Sequence, residues 1–413
     1  MTPILLIDAS ITAARNHLSR CGTARSYEAS NLHKCELQEV QGLVCRTTTR
    51  VGSELLDRAP SLKFVATASA GHDHLDLDAL RARGIQWFSS PGCNASSVAD
   101  YSMTAIARAL PRVRISRKPR IGVIGVGHVG TQVARRCAAL GFEVLACDPP
   151  RAEREAGPKE LAVADQASAP VFHPLAALLR GCDLLTVHVP LTSEGDHPTR
   201  GLVRADHLAT AAVQAVVNTS RGGVVEAARA ARLPNAPLQA IDVWEHEPTP
   251  SADLLRAPSL VMATPHIAGY GAAGKWAASA QLVPKISAFS QASALPAPEF
   301  DPPDAPEIAL HYHDREGFPP LAEILGALLG LDDVDRALRA TASDAPSTRA
   351  TSFRSLRNAR PYRVEFAHRS VVVHAPVSAR EQAQTLIRTL KACGVGQVAA
   401  ASPEARESTP RDA

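Results

Sequence analysis

The second half of the chain contains an arginine, a glutamate and a histidine in three short polar runs. Arg221 lies in residues 218–222 (NTSRG), Glu247 in residues 242–248 (DVWEHEP) and His266 in residues 264–269 (TPHIAG). A guanidinium can hold a carboxylate through two parallel hydrogen bonds. A carboxylate that is hydrogen-bonded to an imidazole raises the pKa of that ring and fixes its tautomer, which suits a group that removes a proton from an alcohol. The set predicts hydride transfer at a carbon next to a carboxylate.

Each of these residues also has a simpler interpretation. Arg221 could be a surface arginine in a turn, and a single histidine in an apolar run such as that around His266 is often a core residue. Glu245, two residues before Glu247, competes as the partner of the histidine. The interpretation as a catalytic set therefore depends on the three runs occurring together.

A glycine fingerprint precedes these runs. Gly125, Gly127 and Gly130 lie between a predicted strand and a predicted helix. In that context the first glycine permits a tight turn, the second lets the backbone approach a pyrophosphate, and the third allows close helix–strand packing. Asp148 ends the next strand at the spacing required for contact with an adenosine ribose. Its charge would repel a 2′-phosphate and favours NAD over NADP, although Arg151 leaves NADP open.

The surrounding pattern predicts an α/β fold with two Rossmann-like, doubly wound parallel-sheet lobes. Short apolar strands alternate with helical stretches, and the polar runs stand where strands end, which is where ligands bind in such sheets. The strands are predicted at 4–7, 42–45, 62–67, 85–88, 121–124, 143–147, 184–188, 215–218, 239–243 and 260–263. The helices are predicted at 96–110, 131–140 and 272–288.

We predict three domains. Residues 1–95 and 267–290 would form a substrate-binding lobe, and residues 96–266 an NAD-binding lobe. Several prolines follow, and residues 291–401 are predicted to form a small α+β domain. Its elements would be helices at 321–329 and 380–393 and strands at 362–366 and 371–375; the polar residues 402–413 are predicted to be a disordered tail.

Composition excludes several classes of function. The chain has 413 residues, 45% hydrophobic and 21% charged, and a net charge of +3. This charge is too small to argue for nucleic-acid binding, and no apolar run approaches the ~20 residues of a membrane helix. The eight cysteines form no CxxC pair or zinc-ligand spacing, so no metal is expected and they are interpreted as buried thiols in a reducing cytoplasm. The first residues are interpreted as a strand rather than a signal peptide.

The glycine fingerprint, Asp148 and the three polar runs resemble the D-isomer-specific 2-hydroxyacid dehydrogenases over most of the first 290 residues. The resemblance implies that Arg221, Glu247 and His266 are the catalytic set and that NAD is the cofactor. The implied cofactor-binding residues are Gly125, Gly127, His128, Val129, Gly130, Asp148, Val189, Thr219, Ser220, Arg221, Asp242 and Gly269. Val189 stands where a threonine is usual in that family, so a contact there would come from its backbone.

Further runs narrow the resemblance to one branch of the family. They are residues 70–76, 90–95, 147–151, 265–270 and 295–300, together with the extra C-terminal domain. This branch oxidises 4-phospho-D-erythronate to 3-hydroxy-2-oxo-4-phosphooxybutanoate in the synthesis of pyridoxal 5′-phosphate, or vitamin B6. The resemblance implies a homodimer formed through the C-terminal domain, while the cysteines and the N-terminal strand predict a cytoplasmic protein.

The resemblance also implies substrate contacts at Thr47, Thr67 and Tyr270, with Thr47 in place of the family's usual serine. The substrate phosphate needs its own cation. Arg46, at a strand end beside Thr47, is the first choice, and Arg354 or Arg357 reaching across a dimer is the second.

Two other functions stay open. One is a 2-hydroxyacid dehydrogenase with another substrate, such as phosphoglycerate. The other is an NAD-sensing corepressor or binding protein, which the intact catalytic set argues against.

Overall fold

The computed structural model describes residues 3–11, 15–156, 171–289, 295–359 and 362–401. Two compact units are present: Met1–Ser96 with Tyr270–Pro303, and Ser97–Gly269 with Asp304–Ala413. The predicted disordered tail, 402–413, lies outside the described residues. Where the structure describes the chain, no helix combines the length and apolar character needed to cross a membrane.

The first unit contains a five-stranded parallel sheet in the order β2-β1-β3-β4-β5. Its strands are β1 (Ile4–Asp8), β2 (Thr23–Tyr27), β3 (Gly42–Cys45), β4 (Phe64–Thr67) and β5 (Gln86–Phe88), and its first helices are α1 (Arg15–Leu18), α2 (Ser53–Asp57) and α3 (Leu77–Ala82). Four of these strands were predicted. The edge strand β2 was missed because its sequence, TARSY, has four exposed residues and no apolar run.

The second unit begins within α4 (Ala95–Ala109) and contains a six-stranded parallel sheet in the order β11-β10-β9-β8-β6-β7. Its strands are β6 (Arg120–Ile124), β7 (Glu143–Cys147), β8 (Leu184–Val187), β9 (Ala215–Asn218), β10 (Leu238–Ile241) and β11 (Leu260–Ala263). Its helices are α5 (His128–Ala139), α6 (Pro149–Ala156), α7 (Leu175–Gly181), α8 (Ala205–Thr210), α9 (Ala227–Ala230) and α10 (Ala252–Arg256).

All six strands of this sheet were predicted. The strand order reverses between β6 and β8, and in open α/β sheets the ligand crevice lies at the carboxyl ends of the strands at such a point. The glycine fingerprint follows β6 directly, so the topology places it at that crevice.

The chain then returns to the first unit through two helices, α11 (Ala272–Ala280) and α12 (Leu282–Phe289). A single helix at 272–288 was predicted. Pro284 has no N–H to donate to the carbonyl of Ala280, so a continuous helix would lose that bond. Val283 and Ile286 of α12 are fully buried in the core of the first unit with Phe64.

The C-terminal segment forms a small parallel sheet in the order β12-β13-β14 with helices around it, which confirms the α+β prediction. The elements are β12 (Ile308–His311), α13 (Leu321–Leu329), α14 (Asp332–Ala340), α15 (Pro346–Asn358), β13 (Ser370–His374), α16 (Arg380–Ala392) and β14 (Gln397–Ala400). Leu338 and Phe353 extend the hydrophobic core beneath the six-stranded sheet.

The strand predicted at 362–366 is wrong. The structure has only a single bridge residue there, Arg363, and a 3-10 helix begins at Phe366 (Phe366–His368). The Phe366 N–H donates to the carboxylate of Asp100 at 2.7 Å, so this backbone is satisfied by a side chain rather than by a neighbouring strand. Other 3-10 helices lie at Ser19–Cys21, Ala29–Lys34, Leu110–Arg112, Gly222–Val224, Thr341–Ser343 and Val377–Ala379.

Candidate active site

Arg221 follows β9 in a turn that is built by Asn218. The Asn218 side-chain carbonyl accepts hydrogen bonds from Ser220 N–H (3.1 Å) and Ser220 Oγ (2.8 Å), and its amide donates to the Arg221 carbonyl at 3.1 Å. A Cβ on Gly222 would lie 1.9 Å from the carbonyl oxygen of Trp244. Only glycine therefore lets this turn approach the backbone that leads to Glu247.

Glu247 and His266 form the central pair of the site. Glu247 Oε2 lies 2.8 Å from His266 Nδ1, and Glu247 Oε1 accepts the Trp244 N–H at 3.0 Å. The carboxylate is thus held at both oxygens. Because Nδ1 is taken by the glutamate, Nε2 is the nitrogen left to exchange a proton with a substrate.

The electrostatics of this pair favour a charged glutamate. Burial by itself would raise the pKa of Glu247, but the hydrogen bond and charge of His266, the Trp244 N–H and the positive charge of Arg357 together lower it below its usual range. Glu245, the competing candidate, is exposed. The structure therefore pairs the histidine with Glu247.

His266 itself has a backbone φ of 58°. This left-handed conformation is uncommon for residues other than glycine and persists only where the surroundings enforce it. Asp242 supplies part of that enforcement: its carboxylate accepts the N–H groups of Ile267 (2.7 Å) and Ala268 (2.8 Å), and its own carbonyl accepts the His266 N–H at 2.7 Å.

Asp242 is 1% exposed and also accepts a hydrogen bond from Thr264 Oγ1 at 2.7 Å. Thr264 in turn bonds Tyr101, whose hydroxyl is 2.6 Å away. The sequence assigned Asp242 to the cofactor. The structure shows that its carboxylate also fixes the turn that carries the histidine.

The glycine loop has the shape that a pyrophosphate requires. Gly125 has a φ of +82°, and a Cβ on Gly130 would lie 1.9 Å from the Gly125 carbonyl oxygen. A Cβ on Gly127 would meet nothing within 4 Å, so the space above it is open. Helix α5 begins at His128 and directs its first N–H groups toward that space. These residues fit the dinucleotide predicted from the sequence.

Asp148 is positioned by this loop. Its carboxylate accepts the Val126 N–H at 2.8 Å and the Arg151 N–H at 3.0 Å. The Arg151 guanidinium donates to the Val126 carbonyl at 2.6 Å and pairs with Glu155 at 2.6 Å. Since Arg151 is engaged by these groups, its position supports NAD rather than NADP.

A histidine that the sequence analysis did not single out stands beside the predicted cofactor residues. His188 follows β8 and shares hydrogen bonds with Thr186 Oγ1 (2.9 Å) and Thr219 Oγ1 (3.2 Å). Burial lowers the pKa of His188 to about 3, so the ring is neutral at physiological pH. It orients the hydroxyl of Thr219. Its place at a strand end, before Val189 and Pro190, is the signal that could have identified it.

In the first unit, the predicted substrate residues follow β3 and β4. Arg46 donates to Ser10 Oγ at 2.9 Å, and Ser10 Oγ donates to Asp8 at 2.5 Å. Thr47 is exposed. Thr67 is fully buried, with its hydroxyl bonded to Ser69 Oγ (2.8 Å) and His74 Nε2 (2.9 Å). Burial lowers the pKa of His74 to about 4, so this ring is also neutral at physiological pH. The sequence analysis did not single out His74.

Tyr270, the remaining substrate candidate, packs against a cation. The Lys275 ammonium lies 4.2 Å from the centre of the Tyr270 ring. Lys275 also opposes the effect of burial on the pKa of Cys93, which burial raises to about 11. This lysine, one turn into α11, was not identified from the sequence, in which nothing distinguishes it from a surface residue.

The two C-terminal arginines that were considered for phosphate binding differ in their surroundings. Arg354 is exposed and lines a shallow groove of about 410 Å³ along α15 with Thr351 and Asn358. Arg357 acts electrostatically on Glu247 of its own chain.

Comparison with known proteins agrees with this geometry. The sequence model of the D-isomer specific 2-hydroxyacid dehydrogenase NAD binding domain matches residues 102–268. The chain is 39% identical over 297 residues to an erythronate-4-phosphate dehydrogenase of Azotobacter vinelandii, covering 71% of this chain and 73% of that one. It is 34% identical over 344 residues to the enzyme of that name from Cronobacter sakazakii, covering 78% and 87%.

A solved structure shares the fold. The TT0316 protein of Thermus thermophilus aligns with a TM-score of 0.56 and 24% identity, covering 71% of this chain and 98% of that one.

Proposed function

The chain belongs to the erythronate-4-phosphate dehydrogenases, within the D-isomer-specific 2-hydroxyacid dehydrogenases, and we propose that it oxidises 4-phospho-D-erythronate at C2 with NAD in the synthesis of pyridoxal 5′-phosphate. The observation that carries the proposal is the 2.8 Å pair between Glu247 Oε2 and His266 Nδ1. It makes Nε2 of His266 a base held in one orientation.

The chain's own residues perform binding and proton transfer. Arg221 takes the substrate carboxylate through its planar fork of donors. His266 Nε2 removes the C2 hydroxyl proton, and the negative charge of Glu247 stabilises the imidazolium that forms. The glycine loop would hold NAD, which would supply the acceptor for the C2 hydride as the alcohol becomes a ketone. In the reverse direction His266 returns the proton.

The cofactor residues have separate tasks in this proposal. Gly127 and the start of α5 would hold the pyrophosphate, and Asp148 would accept hydrogen bonds from the ribose hydroxyls. Thr219, oriented by His188, and Ser220, Asp242 and Gly269 contact the nicotinamide half.

For the phosphate end we propose Arg46 as the principal cation, with Thr47, Thr67 and Tyr270 as further substrate contacts. The support is that Arg46 is partly exposed at a strand end and is held by Ser10, next to the exposed hydroxyl of Thr47. Arg46→Ala should raise KM for 4-phospho-D-erythronate by roughly tenfold or more, because a charged hydrogen bond contributes about 1.5–3 kcal/mol. Arg50→Ala, at an exposed arginine of the same loop, is the matched control. An unchanged KM in Arg46→Ala would show that the phosphate lies elsewhere.

The substrate is tested by comparing hydride transfer with 4-phospho-D-erythronate, 3-phosphoglycerate and unphosphorylated hydroxy acids. We expect the highest kcat/KM with 4-phospho-D-erythronate. A preference for 3-phosphoglycerate would assign the chain to another substrate. The absence of turnover with every acid, combined with tight NADH binding, would favour an NAD-sensing binding protein.

We also propose that the protein acts as a cytoplasmic homodimer, with residues 291–401 supplying the dimer contact. The support is the resemblance of this C-terminal domain to the dimerisation domain of the family. Sedimentation equilibrium of the full chain should give twice the mass of one 413-residue chain, and cell fractionation should recover it with cytoplasmic enzymes. A monomer in sedimentation would contradict the dimer.

A further inference from the structure

A side chain from the C-terminal segment reaches the turn that carries the catalytic histidine. Arg363 Nη2 donates to the carbonyl oxygens of Ile267 at 2.6 Å and Ala268 at 2.9 Å. These two residues directly follow His266 in sequence. Arg363 is partly buried, and nearly one hundred residues of chain separate it from the turn.

Charged groups hold the backbone of the same two residues at both its N–H groups and its carbonyls. Asp242 accepts the N–H groups of Ile267 and Ala268, while Arg363 donates to their carbonyls. Hydrogen bonds to charged groups are stronger than those between neutral groups. The turn is therefore fixed at its donors and its acceptors, which matters because the φ of 58° at His266 is a conformation worth about 1–3 kcal/mol of strain.

The segment that carries Arg363 is itself anchored to α4. Phe366 N–H donates to Asp100 (2.7 Å), Ser97 Oγ donates to Glu365 (2.7 Å), and Asp100 also pairs with Arg136 of α5 at 2.6 Å. The groups that act electrostatically on the Arg363 guanidinium are Asp242, Tyr101, Asp100 and Glu365. Burial lowers the pKa of Arg363 from its usual value, and these four groups oppose that effect.

We infer that Arg363 is a positioning residue for His266, so that the C-terminal segment takes part in the reaction by holding the acid/base in register with Glu247. The inference rests on the proposed function. Arg363 acts through the 266–269 turn and not by touching the substrate.

The experiment compares Arg363→Gln and Arg363→Lys with Arg369→Gln. Arg369 is the matched control, because it is a partly buried arginine of the same segment that donates to a backbone carbonyl, that of Leu328, at 2.9 Å, away from the turn. In Arg363→Gln we expect kcat to fall roughly 10- to 100-fold, since misplacement of a catalytic group by about 1 Å has an effect of that order. KM and the Kd of NADH should change by less than about threefold.

Two further readouts separate positioning from general stability. The acid limb of the kcat/KM profile should move to lower pH in Arg363→Gln, because a looser turn weakens the contact between imidazolium and Glu247. Carbethoxylation of His266 by diethyl pyrocarbonate in the enzyme without cofactor should become faster, as followed by peptide mass spectrometry. Arg363→Lys keeps the charge but not the planar set of donors. Its acid limb and its carbethoxylation rate should lie between those of the wild type and of Arg363→Gln.

Arg369→Gln should lower the melting temperature while leaving kcat, the pH profile and the carbethoxylation rate as in the wild type. The inference is overturned if Arg363→Gln behaves in the same way. If that variant does not fold, wild-type kcat and pH profile in Arg363→Lys overturn it. Failure of the wild type to oxidise any hydroxy acid refutes the proposed function instead, and the carbethoxylation rates still decide the role of Arg363.

Discussion

Glu247→Gln tests the core of the proposed mechanism. The substitution keeps the size of the side chain and leaves an oxygen that can accept the Trp244 N–H, but it removes the negative charge 2.8 Å from His266 Nδ1. The Glu247 and His266 side chains are 24% and 30% exposed, so solvent screens the pair only in part. Removing the charge should therefore destabilise mainly the imidazolium and change the free energy of unfolding little.

The magnitude follows from that geometry. A hydrogen bond to a charged group contributes about 1.5–3 kcal/mol, and each 1.36 kcal/mol is tenfold in rate, so kcat should fall about 10- to 150-fold. The hydrogen bond and charge that lower the pKa of Glu247 also stabilise the imidazolium, so their removal should move the acid limb of the kcat/KM profile for alcohol oxidation to lower pH.

The assay is the initial rate of NADH formation from 4-phospho-D-erythronate across the pH range, with NADH affinity measured separately by fluorescence. Glu245→Gln is the matched control, because it makes the same change at an exposed glutamate of the same loop. It should keep the wild-type rate and profile. Equal losses in the two variants, or wild-type turnover in Glu247→Gln, would refute the assignment of Glu247.

Three further predictions concern the residues around this pair. Gly222→Ala should reduce kcat/KM by at least about tenfold and lower the melting temperature, because its Cβ would lie 1.9 Å from the Trp244 carbonyl oxygen; normal values for both would contradict the close approach. Gly127→Ala should leave the melting temperature unchanged, since its Cβ meets nothing within 4 Å, but should weaken NADH binding about tenfold, or 1.4 kcal/mol, as measured by calorimetry. Burial lowers the pKa of His188 to about 3 in the folded protein. As the pH falls below about 6.5, the unfolded chain binds a proton at this residue while the folded protein does not, so the free energy of unfolding decreases until the pH approaches 3. At pH 5 the loss is about 2 kcal/mol. In His188→Gln the free energy of unfolding, measured with urea, should depend less on pH between pH 6.5 and 3; an unchanged pH dependence would show that His188 is not the group responsible.

The sequence determined the fold class and ten of the eleven strands of the two large sheets because these follow from local patterns. Buried parallel strands appear as short apolar runs, and β3, β7, β9 and β11 begin and end where those runs do. The glycine loop was equally predictable, since the positive φ of Gly125 and the close packing of Gly130 depend on residues only a few positions apart.

Elements without a local signal were missed or misplaced. Strand β2 lies at a sheet edge with exposed side chains. Residues 362–366 have an apolar alternation, but the Phe366 N–H donates to the distant carboxylate of Asp100 rather than to a neighbouring strand. In both cases the deciding contacts are made by other parts of the chain, which the pattern of the segment itself does not contain.

The sequence by itself predicted Arg221, Glu247 and His266 as a catalytic set and the reaction that such residues support, since the chemical capacity of a side chain is set by its type. Only the tertiary structure shows the contact itself: Glu247, which the family resemblance already favoured over Glu245, lies 2.8 Å from His266 across nineteen residues of sequence. It also showed that Asp242 and Arg363 hold the turn after His266. Hydrogen bonds to backbone groups leave no sequence pattern of their own, because every residue offers nearly the same carbonyl and N–H. The fold alone determines which turn a buried arginine reaches.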